Sequence, residues 1–244
     1  MTTEAADTPP VAVAIAIMAR SPVGRTATVK TRLAGVLPRE SDRLALYRAF
    51  LSDTIATCRG LDDTALRIAV TPPDGMSGFD ALGVEPTELL PQRGGDLGAR
   101  ERHLFEDMFA AGFDAVVIVG SDLPTVPNEH LRQAVLELRT GSALVLGPSD
   151  DGGYYVMGLR RRLGEPVPDL FSRIRWSTRW TLDDTVRAAR DAGLEPRFIT
   201  AWYDVDDEEG WRRLCADLAD PTVAAAAPRT AEVVRAMMAE RRRD

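Results

Sequence analysis

Lysine is nearly missing from this sequence: of its 30 basic residues, 29 are Arg and only Lys30 is Lys. An ammonium is a compact point charge and a guanidinium a planar fork, so a position that keeps Lys amid such a bias is a candidate for a site built around the smaller group, with survival on a solvated loop as the plain alternative. Cysteine is equally scarce. Cys58 and Cys215 lie far apart, with no CxxC or His spacing, which excludes a disulfide scaffold and a zinc ribbon and leaves buried thiols as the expectation. The longest apolar run, Val11 to Ala19, is too short for the ~20 residues of a membrane span. It follows Glu4 and Asp7 rather than the basic region of a signal peptide, so a cytoplasmic protein without a membrane partner is expected. A formal charge of −7 argues against a nucleic-acid partner, whose phosphates need clustered cations. GxxxxGK[ST], GxGxxG, GxSxG and HExxH are all absent. His103 and His130 have no carboxylate or Cys at motif spacing, and neither reads as a catalytic base.

What is present is an ordinary globular composition, 45% hydrophobic and 27% charged over 244 residues. Residues 1–10 read as a disordered tail, 11–220 as one domain, and 221–244 as a linker followed by a helix. Short apolar runs at 11–18, 66–70, 87–90, 115–119, 143–146, 154–159 and 198–202 predict strands. Periodic segments from Ser41 to Gly60, after Asp96, around Leu131 to Leu138, at 181–192, after Asp207 and at 230–243 predict helices. This alternation predicts an α/β fold: a single Rossmann-like domain with a mostly parallel sheet covered by helices on both faces. Ligands of such sheets gather at the carboxyl ends of the strands, which directs attention to the loops at 20–32, 93–98, 120–124, 150–153 and 204–207.

The first loop carries Arg20, Arg25, Lys30 and Arg32 in an otherwise acidic protein, a concentration suited to a di- or triphosphate. Gly94, Gly95 and Asp96 allow close approach of a ligand to a helix start, or simply form a turn and a cap. Asp122 ends the strand of 115–119 and is a candidate ligand for Mg²⁺ or Mn²⁺, with Asp204 or Asp206 as the second carboxylate or, alternatively, as helix-start acids. Asp151, Gly152, Gly153 and Tyr154, together with Trp176 and Ser177, suggest an acceptor pocket in which Asp151 is the candidate base; a hairpin turn and a helix cap are the alternatives.

Lys30-Thr31-Arg32-Leu33, Gln92 to Gly98, Gly120-Ser121-Asp122-Leu123-Pro124, Asp150 to Tyr155, Trp176-Ser177-Thr178 and Asp204-Val205-Asp206 occur in this order between about Val13 and Leu218. As a set they resemble the bacterial GT-A-type nucleotide-diphospho-sugar transferases, the arsenosugar-type glycosyltransferases. That family is similar in fold to the 2-phospholactate and molybdenum-cofactor guanylyltransferases. The resemblance implies that Lys30 and Arg32 hold phosphates and that Asp122 with Asp206 or Asp204 holds the metal. Leu123 stands where Cys is more common, and Val23 to Val29 lengthens the approach to Lys30. The expected activity is metal-dependent glycosyl transfer from a nucleotide-diphospho-sugar to a small-molecule acceptor, with Lys30, Arg32 and Asp151 as candidate catalytic residues. The alternatives are guanylyl or cytidylyl transfer with release of pyrophosphate, and a non-enzymatic nucleotide-binding protein.

Overall fold

The computed structural model describes residues 11–23 and 29–241; the expected tail at 1–10 and Arg25 lie outside the described residues. Seven strands form one sheet: β1 (Val13–Arg20), β2 (Thr64–Thr71), β3 (Leu89–Pro91), β4 (Ala115–Gly120), β5 (Leu144–Pro148), β6 (Tyr154–Arg160) and β7 (Arg197–Phe198). Their order is β3-β2-β1-β4-β6-β5-β7. All neighbours are parallel except β6, which runs antiparallel to β4 and β5. The expected mostly parallel α/β sheet is therefore the observed one.

The helices are α1 (Glu40–Arg59), α2 (Leu97–Ala110), α3 (Asn128–Arg139), α4 (Thr181–Asp191), α5 (Glu208–Asp217), α6 (Pro221–Ala226) and α7 (Pro228–Arg241). Successive side chains of a strand point to opposite faces, so a strand covered on both sides must be apolar at every position. In β1, Val13, Ile15 and Ile17 pack into a core with α1 and α3, while Ala14 and Ala16 face a second core containing Leu104, Phe105 and Met108 of α2 and Ala189 of α4. Full burial of Ile15 and Ile17 contributes about 1.5–3 kcal/mol each.

A third core lies beyond α1. Leu46 and Phe50 on its outer face meet Leu33 and Leu37, Trp211 and Leu214 of α5, and Val234 and Met237 of α7. The segment expected as a linker, 221–228, instead contains α6, started by Pro221 with Asp220 accepting from the Thr222 amide. Asp53 of α1 accepts from the backbone amides of Arg229 and Thr230 and anchors the start of α7. β7 is shorter than the expected 198–202. It pairs with β5 only at Val145 and Leu146, and beyond it Ile199 donates to Leu146, Trp202 to Pro148, and Asp150 to Trp202. Cys58 is buried and its thiol is pushed up to about 12 by that burial, whereas Cys215 is only half-buried.

No helix among the described residues is long and apolar enough to cross a membrane.

Candidate functional site

The carboxyl ends of β1, β4 and β5 bring the candidate loops to one edge of the sheet. Lys30 adopts the left-handed conformation, φ 55° and ψ 39°, immediately before a 3₁₀ turn at Thr31–Gly35. This turn-in directs the side chain inward rather than into solvent. Its Nζ lies 2.6 Å from Asp122 Oδ2, donates to the Val205 carbonyl at 2.8 Å, and stands 3.8 Å from Asp206 Oδ1. The side chain is 2% exposed and the ammonium lies 5.5 Å from the Phe50 ring centre. Lys30 is therefore a buried charge joining two carboxylates, not the mobile surface charge suggested by its loop. The neighbouring Arg32 extends outward and pairs with Asp206 at 2.6 Å, while the Val205 amide donates to the Asp122 carbonyl at 3.0 Å. Three segments distant in sequence are thus cross-linked around Asp122 and Asp206.

Two cavities of about 440 Å³ each open on either side of this cross-link and share Arg32, Leu97, Ser121, Asp122 and Asp206. The first is cationic, lined by Arg20, Lys30, Arg32 and Arg100, with Gln92 and Tyr47. Gln92 donates to the carbonyls of Ala19 and Ala69, and the Tyr47 hydroxyl both accepts from the Arg20 amide and donates to the Arg20 carbonyl, so the strand ends are held in place. The second is acidic and aromatic. Asp151, Gly153, Tyr154, Trp176 and Ser177 of the expected acceptor pocket line it, as do Glu101 and Asp204.

Several candidates have local tasks. Gly94, at φ 125°, Gly95 and Asp96 line neither cavity, and the Asp96 side chain caps α2 by accepting from the Ala99 amide. Gly152, at φ 87°, packs beneath Arg179, where a Cβ would fall 2.4 Å from a backbone oxygen. Asp151 accepts from the Gly153 amide at 2.8 Å and so also shapes the hairpin turn. Gly98 leaves room for Trp176, whose ring would lie 2.7 Å from an added Cβ. Asp207 caps α5, which leaves Asp204 and Asp206 free of that duty.

Sequence reasoning missed Glu101 and Arg100. Arg100 carries no signal in the sequence pattern. Glu101 does: it falls three and four residues before Leu104 and Phe105 on the apolar face of α2, where a carboxylate is out of place. Burial pushes its carboxyl up to about 7, partly offset by the hydrogen bond from Tyr154. Asp204 is likewise raised to about 6, first by burial and then by the nearby charges of Asp151, Asp122 and Asp206.

Among the described residues no three His, Cys, Asp or Glu side chains form a ready metal cage. The donor set nonetheless fits a hard cation of the Mg²⁺ type, which takes one or two protein carboxylates and completes its shell with phosphate and water oxygens. Asp122 and Asp206 supply two carboxylates at the shared wall, and Asp204 lines the second cavity.

The sequence pattern of a family described as an uncharacterized protein conserved in bacteria, DUF2064, matches residues 54–178, just over half of the chain. The chain belongs to the DUF2064 family. The matched part of this DUF2064 protein includes Gln92 to Gly98, Asp122, Asp151 and Trp176. Among solved structures, the chain is similar to a Desulfovibrio desulfuricans G20 protein provisionally named a nucleotide-diphospho-sugar transferase, with 30% identity, coverage of 93% of this chain and 95% of that one, and a TM-score of 0.82. Its fold is also shared by a cytidylyltransferase from Leptospira borgpetersenii serovar Hardjo-bovis, with 14% identity, 94% and 96% coverage, and a TM-score of 0.53. A third similar structure is the 4-diphosphocytidyl-2C-methyl-D-erythritol synthase of Anaerococcus prevotii DSM 20548, at 12% identity, 86% and 99% coverage, and a TM-score of 0.52. The last two relationships establish the fold alone. No curated protein matches the chain.

Proposed function

We propose that this DUF2064 protein is a glycosyltransferase that takes a nucleotide-diphospho-sugar as donor and a small molecule as acceptor. The observation that carries this reading is the pair of equal cavities, one cationic and one acidic, meeting at Asp122, Asp206 and Arg32. The diphosphate lies in the first cavity against Arg20, Arg32 and Arg100. Lys30 orients Asp122 and adds positive charge to the same wall. Asp151 faces the acceptor side and takes the proton of the attacking hydroxyl. Asp122 with Asp206 or Asp204 holds Mg²⁺ or Mn²⁺, which when bound supplies charge stabilisation for the departing diphosphate. The likeness to the Desulfovibrio protein supports the donor class.

A second reading, nucleotidyl transfer from a nucleoside triphosphate, is favoured by the number of cations on the first cavity, since a triphosphate brings more charge than a sugar diphosphate. Both readings require nucleotide binding there. A thermal-shift panel of sugar nucleotides and nucleoside triphosphates with Mg²⁺ tests this. A ligand at 100 times its Kd stabilises the protein by about 2.7 kcal/mol, and that gain disappears in Arg32→Ala/Arg100→Ala. If no nucleotide raises the midpoint, both readings fail.

A further inference from the structure

The second cavity contains a carboxyl that the proposed reaction does not use. Glu101 projects from α2 on the same face as Leu104, Phe105 and Met108 and is only 5% exposed, yet it forms part of the cavity wall. Among the described residues its one hydrogen-bond donor is the Tyr154 hydroxyl, 2.6 Å from Oε2, and no Lys or Arg pairs with it. A carboxylate has about four acceptor sites, so most of its capacity is left for whatever enters the cavity. Burial pushes its carboxyl up to about 7, so a hydrogen-bond donor or cation entering the cavity favours its ionised form.

The surroundings decide what kind of group would compensate it. Asp151 and Asp204 line the same cavity, and of its two cations, Arg32 is already engaged by Asp206, leaving Arg179. An anionic ligand would meet like charges there. A hydroxyl or ammonium would instead donate to Glu101, and such charge-assisted bonds are the stronger kind. Trp176 meets Tyr154 edge to face, with ring centres 6.5 Å apart, and adds apolar surface beside these donors' partner.

We propose that Glu101, positioned by Tyr154, is the specificity determinant of the second cavity and selects a hydroxyl-rich or amino-bearing acceptor, a polyol or amino sugar, over an anionic one. The proposal rests on the acceptor reading of that cavity. It is tested by isothermal titration of the full chain with glucosamine, glucose and gluconate, in the presence of inorganic pyrophosphate to fill the cationic cavity. Glucosamine and glucose are expected to bind at least tenfold more tightly than gluconate. Glu101→Gln keeps the shape and the acceptor for Tyr154 while losing the charge, and is expected to weaken glucosamine binding at least tenfold. Tyr154→Phe, which removes only the positioning hydroxyl, is expected to have a smaller effect in the same direction and serves as the test should the Gln variant not fold. Equal or tighter binding of gluconate, no binding of either sugar, or unchanged affinity in the variants would overturn the proposal. Pyrophosphate binding in the same experiment separates the two ideas: sugar selection without it removes the nucleotide reading and leaves Glu101 as a determinant, and the reverse result removes only Glu101.

Discussion

Replacing Lys30 with Met tests whether the site is built around a buried cation. Met has a similar length and meets the same left-handed backbone position, so the main loss is the charge, including its approach to the Phe50 ring. That loss leaves Asp122, 2.6 Å away, and Asp206, 3.8 Å away, without the ammonium, and leaves the Val205 carbonyl without its donor. Removing one partner of a fully buried pair costs about 3–5 kcal/mol. Asp122 is 28% exposed, so water recovers part of this, and a loss of about 2–3 kcal/mol is expected. In a chain of this length 1 kcal/mol corresponds to about 2–4 °C, which places the fall in Tm at about 4–12 °C. Adding Asp122→Asn to Lys30→Met removes one orphaned charge and is expected to recover part of the loss. The assay is thermal unfolding followed by circular dichroism in EDTA, so that no bound cation replaces the ammonium. A Tm for Lys30→Met within about 1 °C of the parent would refute the argument and return Lys30 to a solvated loop.

Asp122→Asn and Asp206→Asn are each expected to raise the Mg²⁺ concentration needed for half-maximal turnover, Asp122→Asn more strongly; equal turnover in EDTA and in Mg²⁺ would show that these acids bind no metal. Burial raises Glu101 from 4.5 to about 7, so its ionisation carries no folding penalty below about pH 4.5 and the full one above about pH 7. Glu101→Gln is therefore expected to gain about 2–3 kcal/mol on the parent between those pH values, read from denaturant midpoints at pH 4.5 and 8; a constant difference would contradict it. In Gly98→Ala the new Cβ falls 2.7 Å from the Trp176 ring and 2.9 Å from the Phe171 carbonyl, so a loss of about 1–3 kcal/mol and a red-shifted tryptophan emission are expected, and unchanged emission would mean that Trp176 does not pack there.

The sheet was legible because its strands are buried on both faces and read as unbroken apolar runs, as in β1 and β4. Helix starts were legible where an Asp serves as cap, at Asp96 and Asp207. β7 was read too long because its extent is set by where it pairs with β5, at Val145 and Leu146, which one sequence segment cannot reveal about another. The same limit applies to the site. The scarcity of lysine singled out Lys30, but its burial follows from contacts with residues 122, 205 and 206, which only the fold brings together. Glu101 carried a local signal, a carboxylate within an apolar helical stripe, while Arg100 carried none because an exposed-face arginine looks the same whether or not a cavity adjoins it.

Which bond breaks is read directly by phosphorus NMR of the reaction products. The protein is incubated with Mg²⁺ and an amino-sugar or polyol acceptor, in one arm with sugar nucleotides and in the other with nucleoside triphosphates. Attack at the anomeric carbon releases a nucleoside diphosphate from the first arm and no pyrophosphate from the second, because the diphosphate departs intact when the sugar carbon lies in line with the attacking oxygen. That is the predicted result, with turnover lowered by Asp151→Asn. Pyrophosphate released from a triphosphate, without nucleoside diphosphate from any sugar nucleotide, would contradict glycosyl transfer and establish the nucleotidyl reading in its place.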